Sequence, residues 1–246
     1  MKISQEQKKA NRKTIIRAAA KLIAEEGFKA TTMRKIATAA GMGDATIYNY
    51  FPTKEAILYG YYHDHIQSCV ETIAQVPNFN TFTLQEKLQT FFDASFNAYL
   101  ADRDFVAQTF RLVLLGTSRD WVKIKPIRTL FLTAVNDMLA AAMEAGEIPD
   151  QVFEELIGQF FLDAYIGAVH YWLADTSDRF NNTNIIVDRG LNLACALLKA
   201  GVANKVFDIA VFLFKTHVLS RMEFLIDPLK NAGHLKKHFM ERMDDI

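Results

Sequence analysis

The chain has 246 residues, of which 50% are hydrophobic and 23% charged, proportions that predict an ordinary globular protein with one large or two modest domains. Its opening segment, MKISQEQKKANRK, lacks the apolar core of a signal peptide, and no uncharged apolar stretch of about 18 residues predicts a membrane span, so we expect a cytoplasmic protein with no membrane partner. The formal net charge is zero, yet residues 1–62 hold 11 Lys and Arg against 5 Asp and Glu (+6) and residues 63–246 hold 17 against 23 (−6), which indicates that the first part meets a polyanion unless it is only a solvated basic face.

Residues 8–26 predict a first helix, because apolar residues recur on one face at helical spacing before Gly27 ends it. Thr32 is a good N-cap for a second, short helix with the same period. Gly41 suits the left-handed residue that follows this second helix. Gly43 or Asp44 can then cap the third helix.

The third predicted helix covers residues 44–51, which have the sequence DATIYNYF. Ile47 and Phe51 stand at i and i+4 and point inward together, which leaves Thr46, Tyr48 and Asn49 mostly outward. Pro52 and Thr53 end this helix and start a fourth at Lys54. Two short helices joined by a glycine-containing turn form a helix-turn-helix, whose second helix enters the DNA major groove.

Residues 12–58 resemble the DNA-binding domain of the TetR/AcrR family of bacterial transcriptional regulators. The resemblance rests on Gly27-Phe28, Thr31-Thr32, Ile36-Ala37, Ala40-Gly41, Thr46-Ile47-Tyr48, Tyr50-Phe51 and Lys54-Glu55. It implies a homodimeric, ligand-responsive regulator that binds a double-stranded, pseudo-palindromic DNA operator, most often as a repressor.

The same resemblance implies a set of DNA-binding residues: Thr32, Arg34, Asp44, Ala45, Thr46, Tyr48, Asn49, Tyr50 and Lys54. Two of them have a structural alternative, because Thr32 can serve only as a helix cap and Tyr50 can belong to the core. The chain departs from the family at Gly43-Asp44, where Ser or Thr followed by a basic or small residue is common. Asp44 either caps the third helix or accepts a hydrogen bond from a cytosine amino group.

The rest of the chain reads as helical, which gives an all-α fold with a ligand-binding and dimerisation domain after the helix-turn-helix. The predicted helices cover residues 55–75, 83–101, 103–116, 120–145, 150–174 and 183–201. We expect domains at 1–54 and 55–201, followed by an extra helical extension at 202–246. That extension can dock on its own domain, enlarge the dimer surface or bind another protein.

Large aromatic residues crowd the second domain, with polar residues inside apolar patterns. Core packing explains any single ring, yet apolar walls with a few polar groups are also how small-molecule sites are built. The predicted contacts to an apolar or aromatic effector are Phe92, Phe96, Asn97, Gln108, Arg111, Trp121, Phe131, Phe161, Asp163, Tyr165 and His170.

By the family resemblance, the helices at 150–174 and 183–201 pair with their copies as a four-helix dimer bundle. Ile186, Leu193, Ala194 and Leu197 form an apolar stripe there, beside the small residues Gly190 and Ala196. The alternative is an ordinary core helix.

No enzyme, cofactor or metal site is predicted. Cys69 and Cys195 have no activating base nearby in the sequence. The spacing of His234 and His238 allows metal binding on one helix face, but no third ligand follows from the sequence. The other reading of the chain is a helical lipid- or isoprenoid-binding protein of the same fold that does not bind DNA.

Overall fold

A computed structural model describes residues 4–114 and 121–213, and these ranges contain α-helices and short 3-10 turns but no strand. The helices are α1 (Gln5–Glu26), α2 (Met33–Ala39), α3 (Asp44–Ile47), α4 (Lys54–Ile73), α5 (Leu84–Tyr99), α6 (Arg103–Leu114), α7 (Trp121–Glu144), α8 (Glu154–Ala174), α9 (Asn181–Lys199) and α10 (Val202–Leu213). The predicted all-α fold is confirmed. The predicted extension at 202–246 begins with α10, and its residues 214–246 lie outside the described part of the chain.

The first three helices pack around the apolar side chains that the helical period selects. Ile15, Ile23, Ile36 and Ile47 are fully buried, and Phe51 is nearly so. The predicted helix ends are confirmed at Gly27 and Gly41, which both have positive φ angles. These angles favour glycine because a β-carbon would strain the backbone.

The third helix is shorter than predicted. It covers Asp44–Ile47 and continues as a turn, so the prediction of a helix over 44–51 was wrong at its second half. The reason lies in the hydrogen bonds: the amide of Asn49 donates to Thr46 O and that of Tyr50 to Ile47 O, which closes tighter, three-residue turns. Pro52 follows and disfavours helical backbone at the residue before it.

Helix α4 joins the two halves of the molecule. It begins at Lys54, as predicted, with the Thr53 hydroxyl accepting a hydrogen bond from the Ala56 amide. Near its start it packs on α1 so closely that a β-carbon at Gly60 would lie 2.9 Å from both the Arg12 and Phe51 side chains. Further along it packs against α5 and α7. One continuous helix therefore packs against both halves of the molecule.

The second half is a helical layer around a core of aromatic rings. Helix α7 packs against α8, and α5 packs against α7 and α9. The largest fully buried side chains of this core are Trp172, Tyr62, Tyr99, Tyr165, Phe91, Phe92, Phe105, Phe110, Phe131 and Phe161.

Helices α8 and α9 leave a broad apolar face uncovered. Phe160 on α8 is 55% exposed and Leu193 on α9 is 60% exposed, with Leu156, Ile186 and Leu197 also exposed. Ala194, predicted in the same stripe, is instead buried. The apolar stripe on α9 is thus only partly buried within the chain, unlike that of an ordinary core helix.

Candidate nucleic-acid interface and ligand cavity

The turn after α3 presents a polar and aromatic surface to solvent. Tyr48 is 54% exposed, whereas Ile47 is fully buried. Asp44, Ala45 and Asn49 are exposed and Thr46 is half-buried. The buried and exposed residues of this segment are those that the sequence pattern predicts. The DNA contacts themselves stay a prediction.

Two of the predicted DNA-binding residues also have internal partners. Thr32 caps α2, because its hydroxyl accepts a hydrogen bond from the Lys35 amide at 3.3 Å. The half-buried Tyr50 accepts a 2.8 Å hydrogen bond from the Asn11 amide group on α1. The predicted cap at Thr32 is therefore confirmed, and Tyr50 holds the turn after α3 against α1.

Lys54 lies at the junction between the loop that precedes α2 and the start of α4. Its ammonium group donates hydrogen bonds to the carbonyl oxygens of Phe28 and, at 2.7 Å, Thr31. It also lies 4.1 Å from the centre of the Phe28 ring, within the range of a cation–π interaction. Lys54 thus fixes the loop between α1 and α2, a role that its sequence position alone did not reveal.

Of the two predicted caps of α3, Gly43 is confirmed and Asp44 is wrong. The N-cap is Gly43, without a side-chain hydrogen bond, because Asp44 is already the first helical residue. Its carboxylate pairs with Arg34 on α2 instead, with 3.4 Å between Arg34 Nε and Asp44 Oδ2. Both charges lie on the exposed side of the helix-turn-helix.

A narrow internal cavity lies in the second domain, among α4, α5, α7 and α8. The volume that the centre of a water molecule can occupy in this cavity is about 10 Å³, which is barely enough for one water. It is lined by Tyr62, Ile66, Tyr99, Ile124, Ile127, Arg128, Phe131, Leu162, Tyr165 and Ile166.

A chain of buried polar groups runs beside this cavity. Ser95 Oγ lies 2.8 Å from His65 Nε2 and 2.6 Å from the Tyr165 hydroxyl, which donates a longer 3.4 Å bond to the Tyr99 hydroxyl. Burial lowers the pKa of His65 to about 3 and raises the pKa of Tyr165 above its ordinary range. The network is therefore uncharged at neutral pH.

A second polar contact connects the cavity to α6. The hydroxyls of Tyr62 and Thr109 lie 2.8 Å apart, and both residues are buried. The next residue toward the N-terminus, Gln108, points the other way and donates a 3.2 Å hydrogen bond to the Ala24 carbonyl at the end of α1. Adjacent residues of α6 thus contact the cavity wall and the helix-turn-helix domain.

The apolar residues among the predicted ligand contacts lie inside the second domain. Phe131 and Tyr165 line the internal cavity, and Phe96 packs against Trp172. Phe92 and Phe161 line a different space, a half-open apolar groove of about 320 Å³ between α8 and α9. The Trp121 side chain lies outside the described residues.

The polar residues among them lie on the surface, contrary to the expectation that they sit among apolar side chains. Asn97, Gln108, Arg111, Asp163 and His170 are all exposed. The reason is the helical period: a polar residue with apolar neighbours in sequence is turned by about 100° from each of them. Their roles as ligand contacts stay a prediction.

The sequence interpretation missed the polar groups that do line the core. His65, Ser95 and Thr109 are buried, as are the cavity tyrosines Tyr62 and Tyr99. A signal was available on α4, where Tyr62, Ile66, Cys69 and Ile73 recur at helical spacing and His65 lies at the edge of that face.

Other chemistry has little support in the described part of the chain. Burial raises the thiol pKa of Cys69 to about 12 and that of Cys195 to about 11, so both stay protonated at neutral pH. Residues 4–114 and 121–213 hold no cluster of three metal-ligating side chains and no helix long and apolar enough to cross a bilayer. His234 and His238 lie outside the described residues.

A helix-turn-helix with an exposed polar and aromatic turn after α3, joined by one continuous helix to further helices, is the architecture of the class of helix-turn-helix transcriptional regulators. Residues 15–59 match the model of the bacterial regulatory proteins of the tetR family, and residues 87–213 match that of a tetracyclin repressor-like C-terminal domain. The chain belongs to the TetR family.

Two relatives of the chain have names that are consistent with this family. The fatty acid metabolism regulator protein of Bacillus subtilis (strain 168) is 26% identical over 199 residues, or 81% of this chain and 99% of the relative. The HTH-type transcriptional repressor KstR2 of Rhodococcus jostii (strain RHA1) is 28% identical over 172 residues, or 67% of this chain and 81% of the relative.

A solved structure is similar over most of the chain. The crystal structure of the transcriptional regulator FadR from Bacillus subtilis in complex with stearoyl-CoA matches with a TM-score of 0.58 and 26% identity. The match covers 77% of this chain and 98% of that one.

Proposed function

We propose that this chain is a homodimeric repressor that leaves a pseudo-palindromic DNA operator when an acyl-coenzyme A thioester enters its second domain. The effector class is suggested by the fatty acid regulator and the stearoyl-CoA complex among its relatives. The internal cavity has the composition that an acyl chain requires, although not the size without movement of its walls, because its lining is mostly apolar with a few polar groups.

The observation that carries the proposal is the shared helix α4. Lys54, at its first position, holds the loop before α2, and Tyr62 on the same helix lines the cavity. These two residues are eight positions apart, about 12 Å along a helix. A displacement of the cavity wall is therefore transmitted over a short, stiff distance to the reading surface.

The narrow cavity explains why an effector would change the conformation. Because about 10 Å³ is open to water, an acyl chain enters only if the surrounding helices separate. Helix α6 would move with them, since Thr109 contacts Tyr62 inside while Gln108 contacts Ala24 outside. Release of DNA then requires only that the effector bind the opened state more tightly than the closed one.

Recognition of the polar end of the effector has a candidate in the cavity wall. Arg128 lines the cavity and donates a 2.5 Å hydrogen bond to Gln159 on α8. A guanidinium group forms strong, charge-assisted hydrogen bonds with phosphate oxygens. We therefore place the coenzyme A phosphates on the side of Arg128 and the acyl chain among Phe131, Leu162 and Tyr165.

The dimer of this proposal forms through the uncovered apolar face of α8 and α9. Phe160 and Leu193 are more than half exposed there, beside a groove that contains Gly167 and Gly190. Small residues let a second helix pair approach closely. DNA half-sites recur at about 34 Å per helical turn, so a change in the separation of two reading heads breaks simultaneous contact.

The test is binding of the full chain to DNA from upstream of its own gene, measured by fluorescence anisotropy at two salt concentrations. We expect retention of a specific fragment, a steep loss of affinity with salt, and release by stearoyl-CoA but not by coenzyme A alone. A protein that binds stearoyl-CoA but selects no DNA fragment would instead be the helical lipid-binding alternative. Release by no acyl-CoA would disprove the effector class but leave the DNA-binding function intact.

A further inference from the structure

The exposed ion pair between Arg34 and Asp44 connects the two helices of the helix-turn-helix. Arg34 is the second residue of α2 and Asp44 is the first residue of α3. Their side chains are 85% and 57% exposed, with 3.4 Å between Nε and Oδ2. Asp44 lies in α3 next to the exposed Ala45.

Folding stability does not account for this pair. Ion pairs between exposed side chains contribute little, because water and salt screen them and the side chains lose conformational freedom. Meanwhile Asp44 is an acidic residue on a domain whose residues 1–62 carry a net charge of +6. A negative charge on a DNA-facing surface repels phosphates and weakens binding to every sequence equally.

The atoms involved suggest that the ion pair contributes to DNA recognition. Nε is the guanidinium nitrogen nearest to the Asp44 carboxylate, at 3.4 Å from Oδ2, so an ion pair at Nε does not require the two terminal nitrogens, Nη1 and Nη2. A guanidinium bound to the O6 and N7 atoms of guanine uses two nitrogens in parallel, and this is the commonest specific contact in the major groove. An arginine held at Nε is already ordered for that contact and loses less side-chain freedom on binding.

We propose that Asp44 is a specificity-determining residue, which positions Arg34 to read a guanine in each operator half-site. This inference rests on the proposed function as a DNA-binding regulator. The ion pair strengthens in the complex, because the groove excludes water and the local dielectric constant falls.

The experiment measures the affinity of the full-length protein for its operator, for every single-base substitution in a half-site, and for unrelated DNA of equal length. The single variants are Asp44→Ala, Asp44→Asn, Arg34→Lys and Arg34→Ala. The double variant Arg34→Ala/Asp44→Ala is compared with Arg34→Ala alone. Thermal unfolding first establishes that each is folded. Glu26→Ala is the matched control, because Glu26 pairs with Lys35 at 2.5 Å in the same domain, away from Asp44.

We expect Arg34→Lys and Asp44→Ala to lose preference for the same G·C pair by about ten-fold, since a lysine or an unheld arginine forms the bidentate contact poorly. Asp44→Asn keeps an oxygen that can accept from Nε, so it should retain most of that preference while binding unrelated DNA more tightly. Glu26→Ala should raise affinity for all DNA without changing base preference. In the Arg34→Ala background, Asp44→Ala should change base preference no further.

Two results would overturn the inference. If Asp44→Ala raises the affinity for all sequences by one factor and leaves base preference unchanged, Asp44 is only a repulsive charge. If Arg34→Lys keeps the preference at every position, Arg34 reads no guanine. A wild-type protein that selects no operator would instead reject the proposed function itself, which is a separate outcome.

Discussion

His65 lies flat against Tyr99 in the second domain, with 3.6 Å between the ring centres and 3° between their planes. The imidazole is buried and bonded to Ser95, so a proton added to it would place a charge in the core. The depressed pKa of His65, about 3, expresses that cost.

Acid should therefore destabilise the protein well before its carboxylates are protonated. The unfolded state takes up a proton at His65 near its ordinary pKa of about 6.5, whereas the folded state does so only near 3. Between these values, falling pH favours the unfolded state by up to about 1.4 kcal/mol per pH unit from this residue. Denaturant unfolding at pH 7, 6 and 5 measures the slope.

The variant His65→Gln should flatten that slope, and His170→Gln is the control because His170 is exposed. Titration of Asp175 does not contribute to the slope between pH 7 and 5. Hydrogen bonds from Thr183 and Ser177 hold its pKa below the ordinary value, so its contribution to stability is lost only below about pH 4. An unchanged slope in His65→Gln would show that other groups govern the acid response.

Tyr48 should matter for DNA binding and little for folding. Replacing it with alanine removes a side chain that is 54% exposed on the turn after α3, and we expect a loss of about 1–3 kcal/mol in operator affinity. The neighbouring Ile47→Ala is the matched control, since this buried side chain should cost about 2–5 kcal/mol of stability. Anisotropy and thermal unfolding separate the two effects. Tyr48→Ala with full affinity per folded molecule would remove it from the interface.

Leu193→Glu should convert the proposed dimer to monomers. The substitution places a charge on the apolar face of α9, where it would be buried unpaired against a second copy, yet it disturbs no packing inside the protomer because Leu193 is 60% exposed. Asn192→Glu is the control, an exposed position about 100° away on the same helix. Sedimentation velocity measures both. A folded, dimeric Leu193→Glu protein would place the dimer contact elsewhere, with α10 as the next candidate.

Effector and operator should weaken each other by the same factor. If stearoyl-CoA reduces operator affinity a hundred-fold, operator must reduce stearoyl-CoA affinity a hundred-fold, about 2.7 kcal/mol of coupling. Ile166→Phe adds volume where only about 10 Å³ is free, so it should weaken acyl-CoA binding and, by pushing the helices apart, should also lower operator affinity. Titration calorimetry with free and operator-bound protein provides the comparison. Acyl-CoA binding that is identical in both states would contradict release by this route.

The helix-turn-helix could be predicted from sequence because its information is local. Ile47 is buried and Tyr48 exposed as the helical period requires, and Gly41 occupies the backbone conformation that needs glycine. The exception was the length of α3, which depends on a competition between three- and four-residue hydrogen bonds before Pro52. Local patterns do not resolve such a small difference.

The cavity could not be predicted in the same way because its polar groups come from distant parts of the chain. Ser95 lies 30 residues from His65 and 70 from Tyr165, and nothing near any of the three in sequence indicates the others. Asn97 attracted the prediction instead, although one helical step turns it away from the core that Phe96 enters. Long-range packing decides which side of a helix a single polar residue occupies.

The near absence of free space in the cavity also sets a time scale for the response. An effector can be captured only while the helices are transiently apart, so its apparent affinity is reduced by the fraction of molecules that are open. At high effector concentration, the rate of DNA release then reaches a plateau equal to the rate of helix opening. Under the proposed mechanism, motion of the protein therefore limits the speed of the response, and diffusion of the effector does not.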